Sequence, residues 1–147
     1  MTTSFEKFNR QLGEFGEKID SVSLPKLQRL IALTVLRGVV LKTPVASGRA
    51  RGNWQLMTGT TVNSEVPGTI RIVGKGKKKR KRWASSVGGG PVGAGMANLK
   101  PQPGFQTIYV FNNVPYINRL EQGHSKIQAP LGMVAVTLAE VEYMFND

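Results

Sequence analysis

The chain has 147 residues, 40% of them hydrophobic, which is enough for one compact domain with a core and too little for two. It carries 20 Lys and Arg against 9 Asp and Glu, a net charge of +11, so its natural partners are polyanions: nucleic acid or an anionic surface. The absence of cysteine excludes a disulfide framework and a thiolate metal site, and the single histidine excludes multi-histidine zinc centres.

The N-terminal residues 1–20 place Phe5, Phe8, Leu12, Phe15 and Ile19 at spacings of three and four. Glu6, Lys7, Arg10, Glu14, Glu17 and Lys18 occupy the other faces. That period predicts an amphipathic helix, weakened by Gly13 and Gly16 and therefore in need of a packing partner. The stretch lacks the unbroken apolar run of a signal peptide.

Ser23 is a candidate cap for a second helix, with Pro25 in its first turn, running to about Lys42. Leu27, Leu30, Ile31, Thr34, Val35, Leu36 and Val39 make it apolar over much of its circumference, so it belongs in the core. Thr43-Pro44 ends it, because the residue before a proline disfavours helical dihedrals. With interruptions at Thr34, Arg37 and Gly38, the segment Leu30 to Leu41 is too short to span a bilayer, and no membrane association is expected.

Trp54 to Val62 and Thr69 to Val73 read as strands, with Val66-Pro67-Gly68 as the turn of a hairpin between them. A third strand covers about Thr107 to Phe111. Residues 74–104 between the last two read as a flexible basic loop inserted between strands. Seven of the eight residues from Lys75 to Arg82 are basic (Lys75, Lys77, Lys78, Lys79, Arg80, Lys81 and Arg82), and Gly88-Gly89-Gly90-Pro91, Gly93, Gly95, Pro101 and Pro103 follow. Without those seven side chains the balance is 13 basic to 9 acidic, a net +4, so most of the excess charge sits in one place. These seven residues are the candidate nucleic-acid contacts, binding through counterion release without reading sequence. A solvated, solubilising loop is the plain alternative, and Lys77 to Arg82 also matches the letters of a nuclear-localisation run. Trp83 suits either base stacking or anchoring of the loop against protein.

Pro115 to Gln122 reads as a short helical turn closed by Gly123. Leu131 to Phe145 reads as a terminal helix, with a strand over Met133 to Leu138 as the alternative. The whole is an α+β single domain, residues 1–147, with a small antiparallel sheet packed against an apolar helix and a C-terminal helix.

Chemistry has little to build on. His124 lies between Gly123 and Ser125, and although Glu121 is three residues away, no nucleophile or second acid accompanies the pair. Gly74-Lys75-Gly76 lacks the spacing of a P-loop. Gly88 to Gly95, read as following no strand and opening no helix, lacks the context of a dinucleotide fingerprint, so these glycines are taken as flexibility. Neither an enzyme nor a cofactor is expected, a nuclease being the least supported of the alternatives.

Two segments carry a resemblance. Thr43-Pro44-Val45-Ala46-Ser47-Gly48-Arg49-Ala50-Arg51-Gly52-Asn53-Trp54 is similar to the TPVDTGRLRGSW-type signature of the HK97-gp10-like proteins of tailed bacteriophages. In the second, Asn112 to Met133, the residues Asn113, Tyr116, Leu120-Glu121-Gln122-Gly123 and Ala129-Pro130-Leu131-Gly132-Met133 resemble that family's N…YA..LE.G…PGM pattern. The departures are Ala46-Ser47 for the usual Asp-Thr, Leu131 where proline is common, and a longer basic segment. The resemblance implies a virion protein at the head-tail junction, assembled in the host cytoplasm: a neck, tail-completion or tail-terminator subunit. Such subunits form a ring, commonly of six, against adjacent connector or head-completion and tail proteins, around double-stranded DNA. It also implies that Arg49, Arg51, Trp54, Tyr116, Glu121 and Gly123 serve fold and assembly. Arg49 or Arg51 is a candidate ion-pair partner for Glu121. A free nucleic-acid-binding protein with a basic loop is the competing expectation.

Overall fold

The computed structural model describes residues 6, 7, 10, 11, 24–99 and 106–146. Glu6, Lys7, Arg10 and Gln11 are helical, as the N-terminal period predicts, while the apolar residues that define that helix's face lie outside the described residues. Ser23, the expected cap, lies outside them too.

Helix α1 (Leu24–Lys42) is the spine of the domain. Ala32, Leu36 and Val39, spaced by four and three, turn one buried stripe toward the core, and the buried Thr34 hydroxyl donates to the Leu30 carbonyl at 2.8 Å. The helix stops where Pro44 removes the next donor. Thr43 closes it, its N–H reaching the Val39 carbonyl at 3.0 Å and its hydroxyl donating to the same oxygen at 2.6 Å.

A single turn, α2 (Arg49–Gly52), leads into β1 (Trp54–Thr58), whose alternating pattern buries Trp54 and Leu56 against α1. The partner of β1 is β4 (Ile108–Asn112), antiparallel, with Trp54 opposite Asn112, Leu56 opposite Val110 and Thr58 opposite Ile108. This overturns the expected hairpin with the Thr69–Val73 segment. Gly59, at φ 81°, ends β1 well before Val62. The chain beyond it is then tied down by side-chain bonds, Val66 N–H to Asn53 Oδ1 at 2.7 Å and Asn113 Nδ2 to the Val62 and Ser64 carbonyls at 2.6 and 2.9 Å. Only β4 brings a second apolar face, Ile108 and Val110, to the same core.

The 74–104 segment is the second correction, because it is not a structureless loop. β2 (Gly68–Val73) pairs antiparallel with β3 (Arg80–Ser85) in a separate two-stranded ribbon. A 3₁₀ turn, Gly76–Lys78, forms its tip, and a helix, α3 (Gly90–Asn98), follows. Basic residues are compatible with a ladder whose partner strand, Gly68-Thr69-Ile70-Arg71-Ile72-Val73, is rich in β-branched residues. The whole ribbon and α3 are inserted between β1 and β4. Glycine in α3 is a matter of packing: Gly95 is buried, and a Cβ there would meet Leu36 Cδ2 at 2.5 Å. The expectation that these glycines follow no strand and open no helix is thereby corrected. Even so, the antiparallel ribbon supplies no βαβ unit for a dinucleotide.

After β4 come α4 (Ile117–Glu121) and α5 (Val134–Phe145), the latter a helix rather than the alternative strand. α5 lies against α1, where Gly38 meets Thr137 and Lys42 pairs with Glu140 at 2.7 Å. Met133, fully buried, completes the core with Leu36, Val39, Trp54 and Leu56. The α+β class is as the sequence implies. Among the described residues, no helix is long and apolar enough to cross a membrane.

Candidate nucleic-acid interface

The seven basic residues fall into two structural groups. Lys75, Lys77, Lys78 and Lys79 surround the tip, and Arg80, Lys81 and Arg82 lie on β3; all seven are exposed. Among the described residues, no carboxylate pairs with any of them. The register sorts the strand residues by face. Arg71 stands opposite Arg82 and Val73 opposite Arg80, while Ile70 stands opposite Trp83 and Ile72 opposite Lys81. Because alternate residues point to opposite sides of a ribbon and opposed residues share a side, Arg71, Arg80 and Arg82 form one face. Ile70, Ile72, Lys81 and Trp83 form the other.

Trp83 fixes the orientation of the ribbon. Its ring lies against the backbone of Gly52 in α2 and of Gly68 in β2, and the backbone N–H of Trp83 donates to the Ser47 carbonyl at 2.8 Å. Of the two roles open to this residue, anchoring against protein is the one its contacts describe. The tryptophan face therefore turns toward the body of the domain at the base of the ribbon, and the arginine face turns away. Arg71 is the functional candidate that the sequence reading missed. Its signal was its position in a β-branched strand opposite the basic run, which becomes legible only once the two strands are paired.

The residues of the two family-like segments converge elsewhere, in the core. Trp54 is 5% exposed, and its Nε1 donates to Thr43 Oγ1 at 2.6 Å, so the helix stop and the strand start share one hydroxyl. Asn112 Nδ2 donates to the Ala50 carbonyl at 2.8 Å, and Val45 and Gln128 exchange hydrogen bonds at 2.7 and 3.5 Å, joining the two segments directly.

Within the chain, the expected pairing of Arg49 or Arg51 with Glu121 does not occur. Arg49 grips Glu65 through Nη2 at 2.7 and 2.9 Å and Nε at 3.2 Å, and its guanidinium carbon lies 5.8 Å from the centre of the Tyr116 ring. Its pKa is raised, mainly by the hydrogen bonds to Glu65; the Tyr116 phenol is raised by burial, against the opposing pull of Arg49. Arg51 instead donates to the carbonyls of Leu41 and Thr43 at 3.1–3.3 Å, satisfying oxygens left open at the end of α1.

Glu121 has a different task. Its carboxylate accepts from the N–H groups of Met133, Val134 and Ala135 at 2.8, 2.8 and 3.0 Å, so a residue of α4 caps the first turn of α5. Burial alone would raise its pKa, but the three N–H donors outweigh that and hold it below the ordinary value. The geometry depends on Gly132, whose φ of 84° favours glycine and whose Cα faces the Glu121 backbone, and on Gly123, also at 84°, which turns the chain against Pro130. The spacing of glutamate, glycine and second glycine is thus the specification of one remote helix cap.

The rest of the surface offers less. A cleft of about 190 Å³ between β1, the Val66-Pro67 stretch and α3 has Glu65 as its one charged lining residue, already held by Arg49. His124 is exposed, and among the described residues no group of three or more His, Cys, Asp or Glu side chains could hold a metal ion. Comparison with protein-family models, with curated proteins and with solved structures gives no match.

Proposed function

We propose that the chain is a structural subunit of a tailed bacteriophage, a neck or tail-completion protein that forms a ring at the head-tail junction. Its cationic ribbon contacts the DNA that crosses the ring. The observation that carries this reading is the interlocking of the two family-like segments, about 60 residues apart, into one unit. Arg51 and Glu121 there satisfy backbone groups, Trp54 bonds the Thr43 hydroxyl at the end of α1 and Gly123 closes a turn, as a scaffold signature requires, and they hold no open acid-base pair. An exposed apolar groove along α5 adds support: Leu131, just before the helix, is 76% exposed and Tyr143 80%, and they line it together with Ala135, Ala139 and Met144, a surface that association with another subunit would cover. The role is assembly, without catalysis.

Reconstruction of the phage particle that contains this protein tests the reading. It predicts several copies in a closed ring between portal and tail, with the ribbons toward the DNA. A particle that lacks the chain, or holds one isolated copy, overturns it. The ribbon alone also suits a free nucleic-acid-binding protein, and that second reading predicts tight duplex binding by the monomer together with absence from particles.

A further inference from the structure

We infer that the ribbon binds duplex DNA through one face, the arginine face formed by Arg71, Arg80 and Arg82, and does not act as an unoriented polycation. The inference rests on the nucleic-acid reading above and assigns that contact to particular side chains, including Arg71, which lies outside the basic run.

Three observations carry it. First, Arg71 and Arg82 are directly opposed across the ladder, and Arg80 lies two residues along from Arg82 on the same side. Like charges so placed repel and weaken the ribbon, and no carboxylate among the described residues relieves them. A polyanion laid on that face removes the repulsion. Second, Trp83, packed on Gly52 and Gly68, seats the base of the other face against the body, while Arg71, Arg80 and Arg82 are all exposed. Third, the spacing fits a phosphate backbone. Residues two apart on a strand are separated by about 6.8 Å, twice the rise of about 3.4 Å between successive nucleotides of one DNA strand. A two-stranded ribbon is also narrow enough for the major groove, about 12 Å wide.

The same arrangement argues against other polyanions. A membrane-surface ribbon needs its apolar and cationic side chains on one side, so that the first enter the lipid while the second meet the headgroups. Here Ile70 and Ile72, 52% and 69% exposed, share their face with Lys81 as its one strand cation, and the three arginines lie on the other face. Single-stranded nucleic acid calls for an aromatic platform among the cations, and the ribbon's tryptophan is on the wrong face and already packed.

The test is an exchange that conserves charge. The double variant R71I/I72R moves one guanidinium from the arginine face to the tryptophan face with composition and net charge unchanged, at two exposed positions. Binding of the full chain to a duplex of about 25 base pairs is measured by fluorescence anisotropy over a series of salt concentrations. Circular dichroism and a thermal melt confirm that each variant is folded. The one-face account predicts affinity at least about fivefold weaker for the exchange and a salt slope smaller by about 1. R71Q/R82Q should lose more affinity than the charge-matched K77Q/K81Q.

Wild-type binding with an unchanged exchange variant overturns the one-face assignment and leaves the nucleic-acid reading standing. If the wild type fails to bind duplex at all, or binds vesicles of anionic lipid more tightly than duplex, the nucleic-acid reading falls and takes this assignment with it. Should the exchange variant not fold, the R71Q/R82Q against K77Q/K81Q comparison decides, equal losses overturning the assignment.

Discussion

The motif-bearing core and the β2–β3 ribbon solve opposite problems with the same chain. Around Trp54 and Glu121, nearly every polar group is assigned: a hydroxyl serves a helix end and an indole at once, and one carboxylate serves three amides. In the ribbon, cations project into solvent with no carboxylate partner among the described residues, and Trp83 holds the base. A satisfied network confers rigidity and specifies one structure, whereas unsatisfied like charge costs stability and is useful only toward something outside the molecule. Mutations should therefore separate the two regions, with stability failing in the first and polyanion affinity in the second.

The largest effect is expected from Trp54→Ala, which empties a core position and removes the donor to the Thr43 hydroxyl. Chemical denaturation should show a loss of about 4 kcal/mol. Next comes Glu121→Ala, which uncaps α5 at a cost of about 2 kcal/mol near neutral pH. Its pH dependence sharpens the comparison. The folded carboxyl has the lower pKa, so its contribution is complete above the ordinary carboxylate range, about pH 4.3, and is lost as pH falls through the folded value. Melts of wild type and Glu121→Ala should then converge at low pH; a constant gap would mean that the carboxylate's charge is not what caps the helix.

Trp83→Ala should be milder for the whole molecule, about 1 kcal/mol, since its ring is only half-buried. Hydrogen exchange should nonetheless accelerate throughout β2 and β3 while α1 and α5 keep their protection. Protection retained in the ribbon would show that Trp83 is not its anchor. The smallest effect belongs to Glu65→Gln. It weakens a partly exposed ion pair with Arg49, worth within about 1 kcal/mol, and should leave duplex binding unaltered. A fall in affinity there would join the two regions that the comparison holds apart.

What the sequence revealed divides along the same line. α1, α4, α5 and β4 were legible because apolar spacing, Pro44 and Gly123 are local signals. The pairing of β1 with β4 was not legible, since Val66-Pro67-Gly68 carries the signal of a hairpin turn into β2. The deciding factor, a shared apolar core with α1, is a tertiary one. The basic run was misjudged for a related reason. Charge and nearby glycine resemble disorder, yet Arg80, Lys81 and Arg82 needed only a β-branched partner strand to become a ladder. Glu121 was recognised as part of a motif but assigned the wrong partner, because a cap reaching 12 to 14 residues along the chain has no spacing rule to betray it.

Replacing all seven basic residues from Lys75 to Arg82 by glutamine, then measuring unfolding free energy and duplex affinity on the same preparation, tests most directly whether the ribbon is a binding device carried by an independent scaffold. The expected result is binding reduced at least about 100-fold with stability within about 0.5 kcal/mol of wild type. Undiminished binding, or a scaffold that unfolds when the ribbon loses its charge, would contradict it.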